Sequence, residues 1–350
     1  MIPYLSVQMR KLLRKCYVFL PQAIVECILE KRIRQLNRIV KSVAVERPAF
    51  ITTQNGLPFT FVLLQFNHAE MTMECIEAIL KLDESMPVRI VVVDNASTDD
   101  ALNKIRGYAQ DNEKIDIVAL ESNSGYAQGN NAGYKYARNT IGSEFIVVMN
   151  NDVVINDKAF IRKAVTEYNK SAYSVLGPDI VVPGNRPVHQ NPLGYHLKTE
   201  HETMVFLEKY RRRLEALDKG ILKIRQTSPY GHRRRDLYRR SGLIVLHGAA
   251  YIFSPIFVKD FDYPFDEGTF LYGEENILAL RVLCKGHVML YSPAICVVHK
   301  TKTSSDTSRL ADYYRFRYQN YIRSYSIYLN MISNPGDVAK TGSKAEWLET

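Results

Sequence analysis

The chain has 350 residues, 46% of them hydrophobic and 24% charged, with a formal net charge of +9. That balance is ordinary for a folded protein able to bury a sizeable core, and it excludes a low-complexity chain. No apolar run reaches the roughly 18 residues a membrane-spanning helix needs, so none is expected. The basic excess points to a phosphate-rich partner: nucleic acid, a sugar nucleotide or an anionic membrane face.

The five cysteines (Cys16, Cys27, Cys75, Cys284, Cys296) are odd in number and lack metal-ligand spacing, which fits a reducing, cytoplasmic setting. The N-terminal run CYVFLPQAIV imitates a signal peptide, but Pro21 and Glu26 interrupt it and no cleavage site follows. Residues 1–48 read as a basic helical appendage. Val25, Ile28, Leu29, Leu36, Ile39 and Val40 recur at helical spacing, with Lys31, Arg32, Arg34, Arg38 and Lys41 around them. Such a helix packs on a domain with its basic face solvated, or lies on an anionic membrane.

From Phe59 the pattern alternates strand and helix. Strands are expected at 59–64, 88–93, 115–120 and 145–149, with helices at 69–81, 98–111 (Ser97 or Thr98 as N-cap) and from the glycine-rich segment to about 139. Alternation with short polar loops predicts a parallel sheet covered by helices on both sides. Beyond 157 a helix to about 169 and a short strand or two over 175–182 follow, and residues 184–240 form a charged, weakly patterned insertion. Strands are expected near 248–254, 287–291 and 295–298, with a helix from GEEN to Lys285 and a tyrosine-rich helix over 310–329.

Four clusters at the expected strand ends are able to carry chemistry. Asp94 and Asp99 in VVVDNASTDD suit a turn and cap equally well as hydrogen bonds to a nucleobase or ribose. Asn123, Gly125, Gly129, Asn131 and Gly133 open a helix whose backbone can approach a ligand, although neither GxGxxG nor GxxxxGK[ST] is present. Asn150-Asn151-Asp152 is a plain turn or the seat of a hard divalent cation, Mg²⁺ or Mn²⁺, with His299 as a further candidate ligand. Glu274 and Glu275 stabilise a helix N-terminus, or one of them is a general base.

Taken in order, a first strand ending near an Asn, then DNxSxD, NxGxAxGNNxG, NND, a Gly-Ala strand, FLYGEE and a final histidine resemble family 2 glycosyltransferases of the GT-A fold. The closer likeness is to rhamnosyltransferase-like bacterial enzymes of O-antigen and capsular polysaccharide assembly, over residues 58–305. The resemblance implies an α/β, Rossmann-like, mostly parallel sheet, with helical appendages at both ends. It implies a transferase domain over 49–305, made of a nucleotide half (58–155) and an acceptor half (156–305), and a helical tail over 306–350.

For the site, the resemblance implies donor contacts from Gln65, Asn67, Asp94, Asp99, Asn123, Gly125, Asn131 and Asn151. Asp152 matches the last acid of the family's DxD metal motif and His299 a metal-ligating histidine, while Asn150 stands where that motif has its first Asp. Glu275, with Glu274 as its alternate, matches the catalytic carboxylate, usually Asp; His247, Gly248, Ala249 and Tyr272 match segments near donor and acceptor. The expected activity is inverting transfer of a hexosyl or deoxyhexosyl group from a nucleoside-diphosphate sugar to a lipid-linked saccharide, at the inner face of the cytoplasmic membrane. Two other classes compete. A sugar-nucleotide pyrophosphorylase would want a basic, glycine-rich loop where QFNHAE stands, and a non-catalytic binding protein on a decayed transferase domain would account for Asn150. The arginine runs at 210–213 and 233–236 lie outside any nucleic-acid motif, so no nucleic-acid partner is expected.

Overall fold

A computed structural model of the chain describes residues 56–83, 85–222, 235–300, 310–334 and 338. The basic appendage expected over 1–48 lies outside these described residues. The chain opens with β1 (Phe59–Gln65), α1 (Ala69–Leu80), β2 (Val88–Asp94), α2 (Ala101–Ala109), β3 (Ile115–Ala119), α3 (Gly125–Tyr136) and β4 (Phe145–Asn150). β3, β2, β1 and β4 lie side by side and parallel. β1, β2 and β4 are buried almost throughout, which is why they read as unbroken apolar runs.

The second part adds β5 (Val153–Val154), α4 (Phe160–Ser171), β6 (Val175–Val182), β7 (Val188–His189), α5 (Glu200–Asp218) and β8 (Arg240–Gly242). β9 (Ala250–Phe253), α6 (Pro255–Asp260), α7 (Glu274–Cys284), β10 (Met289–His299) and α8 (Leu310–Ser333) complete it. The sheet continues from β4 through β9, β6 and β10 to β5, so strands from both parts share one sheet. β9 runs antiparallel to both β4 and β6, while β10 is parallel to β6. Six of the ten described strands therefore point one way.

Residue alternation along the parallel strands feeds two cores. Phe59, Phe61, Leu63, Ile90, Val92, Phe145 and Val147 meet α1, α2 and α4 on one face. Val62, Val91, Val93, Ile146 and Val148 meet α3, α6, α7 and α8 on the other.

Three expectations are corrected, and the strand expected over 175–182 is met. The helix predicted from Thr98 begins at Ala101, because Ser97 and Thr98 are engaged elsewhere. The two strands expected over 287–298 are one strand, β10, whose register breaks between Ser292 and Cys296. Residues 175–182 make a single strand. Within the weakly patterned insertion stands the 19-residue helix α5, opened by a capping box. Glu202 N donates to Thr199 Oγ1 (3.1 Å) and Thr199 N to Glu202 Oε2 (2.9 Å). Its apolar stripe is thin, with only Thr203, Leu207 and Leu217 buried, so the periodicity in sequence is faint.

Candidate active site at the strand ends

Gln65 pairs in register with Asp94, and Leu64 with Asn150, so β1, β2 and β4 end at one level and their polar residues gather on that edge. This is the crevice where open α/β sheets hold ligands. The loops there are tightly made. Both Asp94 oxygens accept from Ser97, from its N–H at 3.0 Å and its hydroxyl at 2.5 Å, and Asp94 is 1% exposed. Asn67 N donates to Ser97 Oγ (2.8 Å), and Thr98 N donates to Asn67 Oδ1 (2.7 Å). Asp99 takes the N–H groups of His68 and Ala101, both at 3.0 Å, and so ties the entries of α1 and α2 together. Asn67, His68 and Ala96 all sit in the left-handed region at φ 57–58°. Each such non-glycine residue costs roughly 1 kcal/mol, a strain concentrated on this edge.

Gln65 and Asn151, expected on the donor, make a buried polar knot with Thr72. Asn151 Nδ2 donates to Gln65 Oε1 (3.1 Å) and Thr72 Oγ1 (2.9 Å), and the Thr72 hydroxyl also donates to Gln65 Oε1. Asn123 is likewise held: its Oδ1 accepts from Asn95 Nδ2 and Gly125 N, both at 3.0 Å. Asn95, which the sequence reading passed over, clasps the start of α3 by also accepting from Ser124 N (2.9 Å) and donating to Gly125 O (3.2 Å).

The glycines of α3 serve close packing against protein. A Cβ on Gly125 (φ +77°) would meet Phe270 O at 2.5 Å, and one on Gly129 would meet Leu64 Cδ1 at 2.5 Å. Asn131 is 2% exposed and spans to Phe265 with both ends of its amide, at 2.8 and 3.0 Å. The contacts of Asn131 therefore tie α3 to the loop ahead of α7.

Asp152 and His299 converge because β5 pairs antiparallel with the end of β10, placing Val153 opposite His299. Asp152 Oδ1 lies 3.1 Å from His299 Nε2, and His299 is 4% exposed. Gln190 Oε1 lies 2.7 Å from His299 Nδ1, so the amide orients the ring with Nε2 toward the carboxylate. Asp152 Oδ1 has no hydrogen-bond donor. A carboxylate oxygen facing an imidazole nitrogen in a buried setting fits a hard divalent cation completed by further oxygen ligands. Among the described residues no group of three His, Cys, Asp or Glu side chains converges, so the protein's own share is this pair. Asn150 is next to it through its backbone, donating N–H to Ala249 O (3.0 Å).

His247, Gly248 and Ala249 join this pair to the acids of α7. The His247 and His299 rings are 6.2 Å apart, and His247 Nδ1 accepts from Ala249 N (3.0 Å). A Cβ on Gly248 would lie 3.5 Å from Glu275 Oε1 and 3.6 Å from Glu274 Oε1. Asn191, another residue without a signal in the sequence, holds this segment by accepting from His247 N (2.7 Å). Buried Tyr126 donates its hydroxyl to Gly248 O (2.5 Å).

The two acids differ in surroundings. Glu274 is 4% exposed, its Oε2 has no partner, and burial followed by the charge of Glu275 raises its pKa well above the carboxylate range. Glu275 is partly exposed and is also raised by burial, but the backbone N–H groups of Glu275, Gly273 and Gly248 draw it back down; Gly273 N lies 3.1 Å from its Oε2. At neutral pH Glu274 is the better proton holder and Glu275 the better anion. Tyr272, at φ 67°, packs its ring against α8, 5.4 Å from that of Tyr321.

The mostly parallel α/β sheet flanked by helices has the architecture of GT-A glycosyltransferase structures. The chain belongs to glycosyl transferase family 2, whose model matches residues 60–242. It is 32% identical over 102 residues to the low-salt glycan biosynthesis hexosyltransferase Agl10 of Haloferax volcanii, a match covering 29% of this chain and 31% of that relative. Among solved structures, GalNAc-T7 with UDP, GalNAc and Mn²⁺ aligns at a TM-score of 0.52 and 14% identity, over 83% of this chain and 55% of that one. The mannosyltransferase PcManGT of Pyrobaculum calidifontis, with GDP-Man and Mn²⁺, aligns at 0.46 and 15% identity, over 91% and 84% of the two chains.

Proposed function

We propose that the protein is an inverting glycosyltransferase that moves a hexosyl or deoxyhexosyl group from a nucleoside-diphosphate sugar to a hydroxyl of a lipid-linked saccharide. The observation that carries this reading is the three-residue segment His247-Gly248-Ala249, whose His247 ring faces His299 while Gly248 lies beside Glu275. In a single displacement, Glu275 takes the proton from the acceptor hydroxyl. The hydroxyl oxygen then bonds to the anomeric carbon as the carbon's bond to the diphosphate breaks. Burial of Glu274 favours its protonated form, which limits the negative charge gathered in the pocket. Asp152 and His299 would hold Mg²⁺ or Mn²⁺, which when bound stabilises charge on the departing diphosphate. Asn150 lowers the negative charge of that site relative to two acids, so weaker cation affinity follows.

The net charge of +9 supports an acceptor on an anionic membrane face, in cell-surface polysaccharide assembly of the O-antigen or capsule kind. No described helix is long and apolar enough to cross a membrane, so peripheral attachment is proposed. Sedimentation with anionic liposomes that weakens in high salt is the expected result, and salt-independent behaviour would remove this part.

The central experiment compares wild type, Glu275→Gln and Asp152→Ala. Thermal stability is read with UDP, dTDP, GDP or CDP, each with and without Mn²⁺, alongside donor turnover. One nucleotide should stabilise wild type and Glu275→Gln in a Mn²⁺-dependent way, by about 3 kcal/mol at a hundredfold excess over Kd. That shift should vanish in Asp152→Ala, and turnover should vanish in both variants. Full turnover in Glu275→Gln would remove Glu275 as the base.

A further inference from the structure

Helix α8 lies beyond the residues matched by the family model and closes one side of the acid pair. A Cβ on Gly273 would meet Ser324 Cβ at 2.9 Å, and Asn276 Nδ2 donates to Tyr325 OH at 3.0 Å, so the helix is seated directly on the first turn of α7. Two turns toward its N-terminus stands Arg317. Its guanidinium lies 5.5 Å from the Tyr272 ring centre and 5.3 Å from that of Tyr321, and Nη2 donates to Tyr321 OH at 2.9 Å. Tyr313 also neighbours Tyr272 in the same cage.

The neighbouring Arg315 shows how this surface normally treats a cation: it pairs with Asp218 at 2.9 Å and Asp312 at 2.7 Å. Arg317 differs. It is partly buried, its neighbours are Tyr272, Tyr313 and Tyr321, and among the described residues no carboxylate pairs with it. Tyrosine faces orient a guanidinium and lower its hydration without neutralising it. Tyr272 directly precedes Gly273 and the acid pair, so the cage adjoins the first turn of α7. Exposed Tyr313 (44%) and Phe316 (40%) flank the approach.

We propose that Arg317 and its tyrosine cage form a phosphate-binding subsite at the mouth of this crevice. With Nε and Nη2 anchored on Tyr321 OH (3.3 and 2.9 Å), the planar guanidinium is held in place and turns its remaining N–H groups to phosphate oxygens. The phosphate comes from the sugar nucleotide's diphosphate or from the diphosphate that joins an acceptor saccharide to its lipid. Calling it a substrate's phosphate rests on the transferase reading, while the anion site itself does not.

The test uses the full-length protein as wild type, Arg317→Gln and Arg317→Lys, with circular dichroism to confirm folding. Inorganic pyrophosphate without metal is titrated first by calorimetry. Wild type should bind, and Arg317→Gln should bind at least about tenfold more weakly. Arg317→Lys should fall between them, since a point charge replaces the fork. UDP, dTDP, GDP and CDP are then compared with farnesyl diphosphate in detergent. A selective loss for the nucleotides assigns the phosphate to the donor, and a selective loss for the prenyl diphosphate assigns it to the acceptor. Pyrophosphate binding that is equal in wild type and Arg317→Gln overturns the subsite. Loss of turnover in Glu275→Gln leaves the pyrophosphate result unaffected, so the two readings fail separately.

Discussion

Acidification from pH 7 to pH 5 should weaken the fold through one buried ring, His287. The ring is 7% exposed, with Nδ1 2.6 Å from Ser174 Oγ and Nε2 3.1 Å from Asp260 Oδ2. Ser174 is fully sealed, so this serine–histidine–aspartate line is a packing device with no access for a substrate. Burial pulls the imidazole pKa from 6.5 down to about 4, and the Lys285 charge adds to that, outweighing the attraction of Asp260. Below the unfolded value of 6.5, unfolded chains take up a proton that the folded ring refuses. Stability should therefore fall by about 1.4 kcal/mol per pH unit between 6.5 and about 4, and be flat above 6.5. At pH 5 the loss is about 2 kcal/mol. Glu274 and Glu275 act in the opposite direction, because their raised pKa values cost stability as pH climbs from 4.5 through those values. The term for His287 is isolated by difference: urea unfolding of wild type and His287→Gln at pH 7 and pH 5. The glutamine keeps a polar group against Ser174 but does not titrate. Wild type should lose about 2 kcal/mol more than the variant across that interval. Equal losses would show that Asp260 holds the imidazolium in the fold and would refute the reasoning.

Two further outcomes follow from the site's scaffolding. Gln190→Leu frees the His299 ring and should weaken Mn²⁺ binding about ten- to hundredfold by calorimetry while leaving the far-ultraviolet dichroism intact; unchanged affinity would remove Gln190 from the cation site. Gly125→Ala forces a Cβ to within 2.5 Å of Phe270 O at φ +77°, and it should cost about 2 kcal/mol or more in urea unfolding. A neutral result would mean that the loop ahead of α7 yields to α3.

The parallel strands were legible because burial on both faces writes them as plain apolar runs, Val88–Val93 being the clearest. The same alphabet concealed direction. Ala250–Phe253 reads like its parallel neighbours yet runs against them, since pairing partners are set by the whole sheet. Helix α5 was hidden by its thin apolar stripe, although Thr199 and Glu202 carried its start signal. Among site residues, Asp152, His299 and Glu275 were picked out by type and position at strand or helix ends. The structure places the first two together and Glu275 beside Gly248. Asn95, Gln190 and Asn191 were not, because an amide's role depends on the atoms across from it: Asn95 holds Asn123, and Gln190 holds His299. Asn131 and Asn151 show the converse, both drawn into contacts between protein segments.

The seating of α8 on Gly273 and Asn276 has a consequence for biosynthesis. On the ribosome every strand of the sheet, and both acids of α7, emerge before this last described helix does. A nascent chain that has reached only His299 can pair its strands and bring Asp152 to β10, yet Tyr272 and the first turn of α7 still lack their cover. The crevice is therefore finished from the carboxyl end, after the sheet that frames it, and Arg317 reaches its cage only at that closing step.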